Sequence, residues 1–177
     1  MKRILFIIII LFQLGVLGFM IAKQELILQK GTKVLLKCRP VDPRSLFSGD
    51  YVILNYEIST IDQPLFDSID RNIKGRNPDE IFVALKKNSN NDFWSVASAS
   101  KDFRKLKSQY PVVIRGTAEY WFGSRITYGV ENYFVPQNQG LKIEKNLSDV
   151  SVEVAVSEKG ESAISKLFID GKEVKFY

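Results

Sequence analysis

Val150-Ser151-Val152-Glu153-Val154-Ala155-Val156-Ser157, then Glu158-Lys159-Gly160-Glu161, then Ser162 to Ile169, is the stretch on which the reading of the fold turns. Side chains alternate between the two faces of a strand, so the valines form one row and Ser151, Glu153, Ala155 and Ser157 the other. A pure valine row backed by a mostly polar one is the pattern of an antiparallel sheet with one face on a core. Glu158 to Glu161 reads as the turn of a hairpin. Asp170-Gly171 marks a second turn, after which Glu173 to Tyr177 reads as a closing edge strand.

The same period of two runs back through the chain. Val34, Leu36 and Cys38 share one face of a strand, and Leu35, Lys37 and Arg39 the other. Tyr51 to Ser59 reads as a strand with Val52, Leu54, Tyr56 and Ile58 on its apolar side. Glu80 to Lys87 and Phe93 to Ala99 flank the turn formers Asn88 to Asp92 and are expected to pair antiparallel. Val112 to Trp121 and Arg125 to Val135 continue in the same manner. Only Ser100 to Gln109 has helical spacing, with Phe103, Leu106 and Tyr110 three and four apart. The expected fold is therefore mainly β, a β-rich α+β arrangement: an antiparallel sandwich or barrel-like domain over 33–177 with one short helix.

The amino-terminal end is of another kind. Ile4 to Ala22 carries no charge, and fourteen of its residues are Ile, Leu, Phe or Val. As a helix it reaches roughly 28 Å, against about 30 Å of bilayer hydrocarbon. Its side chains favour insertion by roughly 4 to 8 kcal/mol before the cost of Gln13. Residues 1–3 hold Lys2 and Arg3, which the positive-inside rule keeps in the cytoplasm, so 4–22 reads as a transmembrane anchor, 23–32 as a linker and the rest as an extracytoplasmic domain, periplasmic or on the cell surface. A cleaved signal peptide is the rival reading. The apolar run exceeds the usual h-region, and Met20 stands where a cleavage site wants a small residue.

Composition narrows the chemistry. Among 177 residues there is no His, which removes the commonest general base and metal ligand, and the one Cys, Cys38, excludes an internal disulfide. Cys38 reads as a small core hydrophobe. Glycine-rich phosphate loops and metal-ligand clusters are absent, so no cofactor or metal is expected. Without Lys2 and Arg3 the chain keeps 23 basic and 20 acidic residues, and this mild excess, with export, argues against nucleic acid as a partner. The dense cluster Lys101, Arg104, Lys105 and Lys107 reads as a solvated face, with contact to anionic lipid headgroups as the alternative.

The most specific text is Gly49-Asp50-Tyr51-Val52-Ile53-Leu54-Asn55-Tyr56, in which Gly49, Asp50, Tyr51, Leu54 and Tyr56 spell G-D-Y-x-x-L-x-Y. With Arg115-Gly116, Tyr128 to Pro136, Glu144, the valine hairpin and Asp170-Gly171, it resembles the functionally uncharacterised GDYXXLXY protein family over most of the exported part. The resemblance implies a leading membrane segment and, because such members are often accompanied by multi-pass membrane proteins, a membrane partner for a non-enzymatic binding or accessory subunit. Gln137-Asn138-Gln139 departs from the acidic residues more usual after the Pro.

Read physically, Gly49-Asp50 makes a tight turn, and Leu54 and Tyr56 share a core-facing side with Tyr51 on the other. The functional alternative sets Asp50 with Arg115 and Glu131 in a polar site lined by Tyr51, Tyr128 and Tyr133, with Gly129 beside it. That site would serve a small-ligand or sugar-binding module or a hydrolase. The aromatics Tyr110, Tyr120, Trp121, Phe122 and Phe134 are further candidates for a groove. A likeness of Pro43 to Val52 to type I signal peptidases fails on chemistry, because Pro40 stands where the nucleophilic Ser is required.

Overall fold

The computed structural model describes residues 2–39, 51–61, 79–119, 125–134 and 150–175. Helix α1, Lys2–Lys30, holds its apolar side chains from Ile4 to Ile21 exposed and is long and apolar enough to cross a membrane. It does not stop at Ala22. Residues 23–30, expected as a linker, stay helical because the domain holds them. Ile27 is buried against Ala155 and Ala163, the Gly31 N–H donates to the Ile27 carbonyl at 2.8 Å, and Lys33 Nζ donates to the Leu28 carbonyl at 2.6 Å. A Cβ on Gly31 would lie 2.5 Å from the Ile27 carbonyl oxygen, so only glycine fits this junction.

Eleven strands follow in the described residues. β1 (Thr32–Arg39), β3 (Asn55–Tyr56), β9 (Val150–Val156), β10 (Ser162–Ile169) and β11 (Lys172–Glu173) form one sheet in the order β11-β10-β9-β1-β3. β4 (Asp79–Lys87), β5 (Trp94–Ser100), β6 (Val112–Glu119) and β7 (Arg125–Thr127) form another in the order β5-β4-β6-β7, and β2 (Tyr51–Ile53) pairs with β8 (Asn132–Phe134). Every pairing between these strands in the described residues is antiparallel. The two large sheets bury one shared core, with Val34, Leu36, Val152, Val154 and Leu167 from the first against Ile81, Val83, Leu85, Ile114 and Ile126 from the second. Single bridges, Leu35 to Phe93 and Thr60 to Arg125, link them at their margins. The domain is mainly β, as the alternation predicts.

Five local expectations change. The outer face of the valine hairpin is not an open polar surface, since the end of α1 covers Ala155 and Ala163. The strand expected over 51–59 breaks at Leu54 into β2 and β3, which pair in different sheets, and ends in a 3-10 turn, Glu57–Ser59. The strand expected over 125–135 breaks into β7 and β8 at Tyr128 to Glu131, where Gly129 has φ +76°. The helix expected over 100–109 shortens to α2, Phe103–Lys107. Ser100 is held in β5 opposite Phe82, and Asp102 caps the helix by accepting from the N–H groups of Arg104 and Lys105 at 2.9 and 3.2 Å. The Asp170-Gly171 turn has φ +50° and +72°, the primed hairpin geometry, but the strand after it is only β11.

Cys38 lies in the core opposite Tyr56, and burial with the nearby Glu57 carboxylate pushes its thiol up to about 12. The thiolate is the reacting species, so Cys38 is expected to resist maleimide at pH near neutral in the folded protein and to label fully in denaturant. Rapid labelling of the native chain would contradict the buried strand.

Candidate functional site

The breaks in the two strands lie side by side and are tied together. The Leu54 N–H donates to the Glu131 carbonyl at 2.6 Å, carrying the β2–β8 pairing up to the point where both chains change sheets. Tyr56 Oη donates to the Val130 carbonyl at 2.5 Å, and Tyr128 Oη donates to the Ile58 carbonyl at 2.6 Å. Each tyrosine therefore reaches across and satisfies a carbonyl of the other's segment, where a buried acceptor left open would be costly. Burial, then the charges of Cys38 and Glu131, hold the Tyr56 phenol far above its ordinary value, and burial, then Glu131, does the same for Tyr128. Both remain donors across the accessible pH range. Leu54 and Tyr56 are core residues, as their alternation predicts, so these two signature positions hold the crossing together.

A cleft of about 460 Å³ opens beside this crossing, lined among others by Glu80, Arg115, Gly116, Tyr128, Gly129, Glu131 and Glu161. Arg115 joins two of its carboxylates. Its Nη1 lies 3.3 Å from Glu80 Oε1 and its Nη2 lies 3.0 Å from Glu161 Oε1. Its backbone N–H donates to the Gly160 carbonyl at 2.8 Å, so the β9–β10 turn is fastened onto β6. Gly160 is required there. Its φ is +83°, and a Cβ would sit 3.2 Å from the Val113 carbonyl oxygen. Lys23 Nζ, from α1, completes the network at 2.7 Å from Glu161 Oε1. The Glu131 carboxylate accepts the Tyr128 N–H and so closes the turn around Gly129.

Of the residues singled out from sequence, the fold brings Arg115, Tyr128, Gly129 and Glu131 into one cleft. Tyr133 packs against the core from β8 and is not among the lining residues. Gly49, Asp50, Tyr120, Trp121 and Phe122 lie outside the described residues, as do the side chains of Tyr51 and Phe134. Glu80, Glu161 and Lys23 were not anticipated. The signal for Glu161 was its place in the hairpin turn, but nothing local pairs it with Arg115, 46 residues away in sequence.

Lys23 and Arg115 balance Glu80 and Glu161, and Glu131 adds one further carboxylate to the cleft. A hydrogen bond from Lys23, reinforced by the charges of Lys23 and Arg115, holds the Glu161 carboxyl below the ordinary carboxylate range against the opposing effect of desolvation. A general acid needs the opposite shift. Because the folded value is depressed, the stability that Glu161 contributes is present above its ordinary value near 4.5 and is lost as pH falls through the lower folded value. The stability gap between wild type and Glu161→Gln is therefore expected to be open at neutral pH and to close on strong acidification. Thermal unfolding across that range checks it, and a gap that widens in acid would contradict the network. Among the described residues, no group of His, Cys, Asp and Glu is arranged to hold a metal ion.

A family model described as "GDYXXLXY protein" matches residues 13–167. No curated protein and no solved structure matches the chain.

Proposed function

This chain belongs to the GDYXXLXY protein family, and from that premise we propose that it is a membrane-anchored extracytoplasmic protein that serves as a non-enzymatic accessory subunit of another membrane protein, most simply a multi-pass one. The observation that carries the reading is the joint between α1 and the domain. A helix of 29 residues is about 43 Å long, more than the roughly 30 Å of hydrocarbon, so its last turns stand clear of the bilayer. Those turns are built into the domain through Ile27, the Gly31 junction and the Lys23–Glu161 pair. A domain held in one pose against its own anchor suits a protein that presents a surface at a fixed height above the membrane. Lys2 and Arg3 favour an N-terminus in the cytoplasm and the domain on the far side.

Affinity capture of the detergent-solubilised chain is expected to recover a multi-pass membrane protein in stoichiometric amount. Repeated recovery of the chain alone would overturn the accessory role. The cleft supports a second reading, a small polar ligand bound beside Arg115 and Glu131. Under that reading Glu131→Gln leaves the fold intact and abolishes binding. If it destabilises the chain instead, Glu131 belongs to the crossing.

A further inference from the structure

The strand register fixes which edge of the domain lies nearest the end of the apolar helix. β1 leads away from α1 and β9 returns antiparallel to it, with Val156 opposite Thr32. The β9–β10 turn, Ser157 to Glu161, therefore projects back past the start of β1 and alongside the last turns of α1, where Glu161 meets Lys23 at 2.7 Å. Lys23 is the first charge after the apolar run that ends at Ala22. If that run lies in hydrocarbon, the turn sits level with the headgroups.

Helix α2 sits beside the same turn. Lys107 Nζ lies 3.0 Å from Glu158 Oε2, and the Phe103 ring is 3.5 Å from where a Cβ on Gly160 would stand. This edge gathers Lys101, Arg104, Lys105, Lys107 and Lys159 against Asp102, Glu158 and Glu161, the last already paired with Lys23 and Arg115. The Asp102 carboxylate is engaged as the cap of α2, and Arg104, Lys105 and Lys159 are exposed. Leu106 and Phe103 pack inward on Ala84, Val113 and Phe82, which holds α2 on β4 and β6.

We propose that α2 and the β9–β10 turn form a second membrane contact, a cationic surface that docks on an anionic lipid leaflet. The proposal rests on α1 being embedded. Charge sign and position both select this occupant: the excess is cationic, and it lies on the edge that the register turns toward the apolar segment. Near an anionic surface each cation strengthens docking about fivefold.

The test uses the full chain in lipid nanodiscs, either phosphatidylcholine alone or with about one-third phosphatidylglycerol, a fraction set to give the negative surface potential that draws in basic residues. A fluorophore on Ser108→Cys reports through a headgroup-borne quencher, with buried Cys38 left unlabelled. Stronger quenching in the anionic discs, suppressed by high salt, is expected. Arg104→Glu, Lys105→Glu and Lys159→Glu combined should lower docking at least about a hundredfold and remove the difference between lipids. A chain that enters the discs but quenches equally in both overturns the lipid contact alone. A chain that does not enter them overturns the anchor and the proposal with it.

Discussion

Tyr56→Phe and Tyr128→Phe are each expected to destabilise the full chain in detergent by about 1–3 kcal/mol, because each strands a buried carbonyl, of Val130 or Ile58, without its donor. Tyr56→Ala removes the packing as well, and the expected loss rises to about 3–5 kcal/mol by analogy with other large aromatic truncations. At about 2–4 °C per kcal/mol, that shift is plain in a thermal melt. The two hydroxyl deletions act on one crossing and are expected to depart from additivity by about 0.5 kcal/mol or more. Phenylalanine variants as stable as wild type would sink the clasp and return the signature tyrosine to some other role. Because both phenols are held far above their ordinary values, their contribution is expected to stay constant from strongly acidic to mildly alkaline pH, whereas that of Glu161 is lost on strong acidification.

Gly116→Ala is the second large effect. A Cβ there would fall 2.5 Å from Ile126 Cγ2, 2.9 Å from the Thr127 carbonyl oxygen and 3.1 Å from Tyr128 Cδ1. Ile126 is fully buried and Thr127 meets the clash with its backbone, so the contact is not relieved by a side chain swinging into solvent. The expected cost is about 1–3 kcal/mol as an overpacked site. The strain falls on β7 and Tyr128, so Gly116→Ala should also weaken the Tyr128 clasp, and combined with Tyr128→Phe it should cost less than the two losses added together. A substitution that leaves the melting temperature unchanged would show that β6 and β7 do not approach this closely. Because Gly116 and Tyr128 both line the cleft, a ligand that fills it would be lost with the same substitution.

Part of the cleft was legible in sequence and part was not. Arg115, Tyr128, Gly129 and Glu131 stand in the segments that carry the family resemblance, and the fold brings them together. The role of Glu131 was not legible. It closes a turn with its carboxylate and holds Leu54 with its carbonyl, and neither bond leaves a local trace in the spacing. Glu80 and Glu161 reach Arg115 from 35 and 46 residues away, and Lys23 reaches Glu161 from another element altogether. Charged residues on alternating strands look alike in sequence whether they face water or one another.

The residues by themselves determined the apolar helix, the β class and the faces of most strands, because those follow from hydropathy and from a period of two that acts between near neighbours. Val34, Leu36, Leu54, Tyr56 and the valine row are all buried where alternation puts them. Tertiary structure alone decided where a strand changes partner, since β2 and β3, or β7 and β8, carry the same pattern whichever sheet they join. It also decided that α1 runs on past its apolar run, because residues 23–30 are held helical by Ile27 and Lys23 meeting a hairpin more than a hundred residues further along the chain.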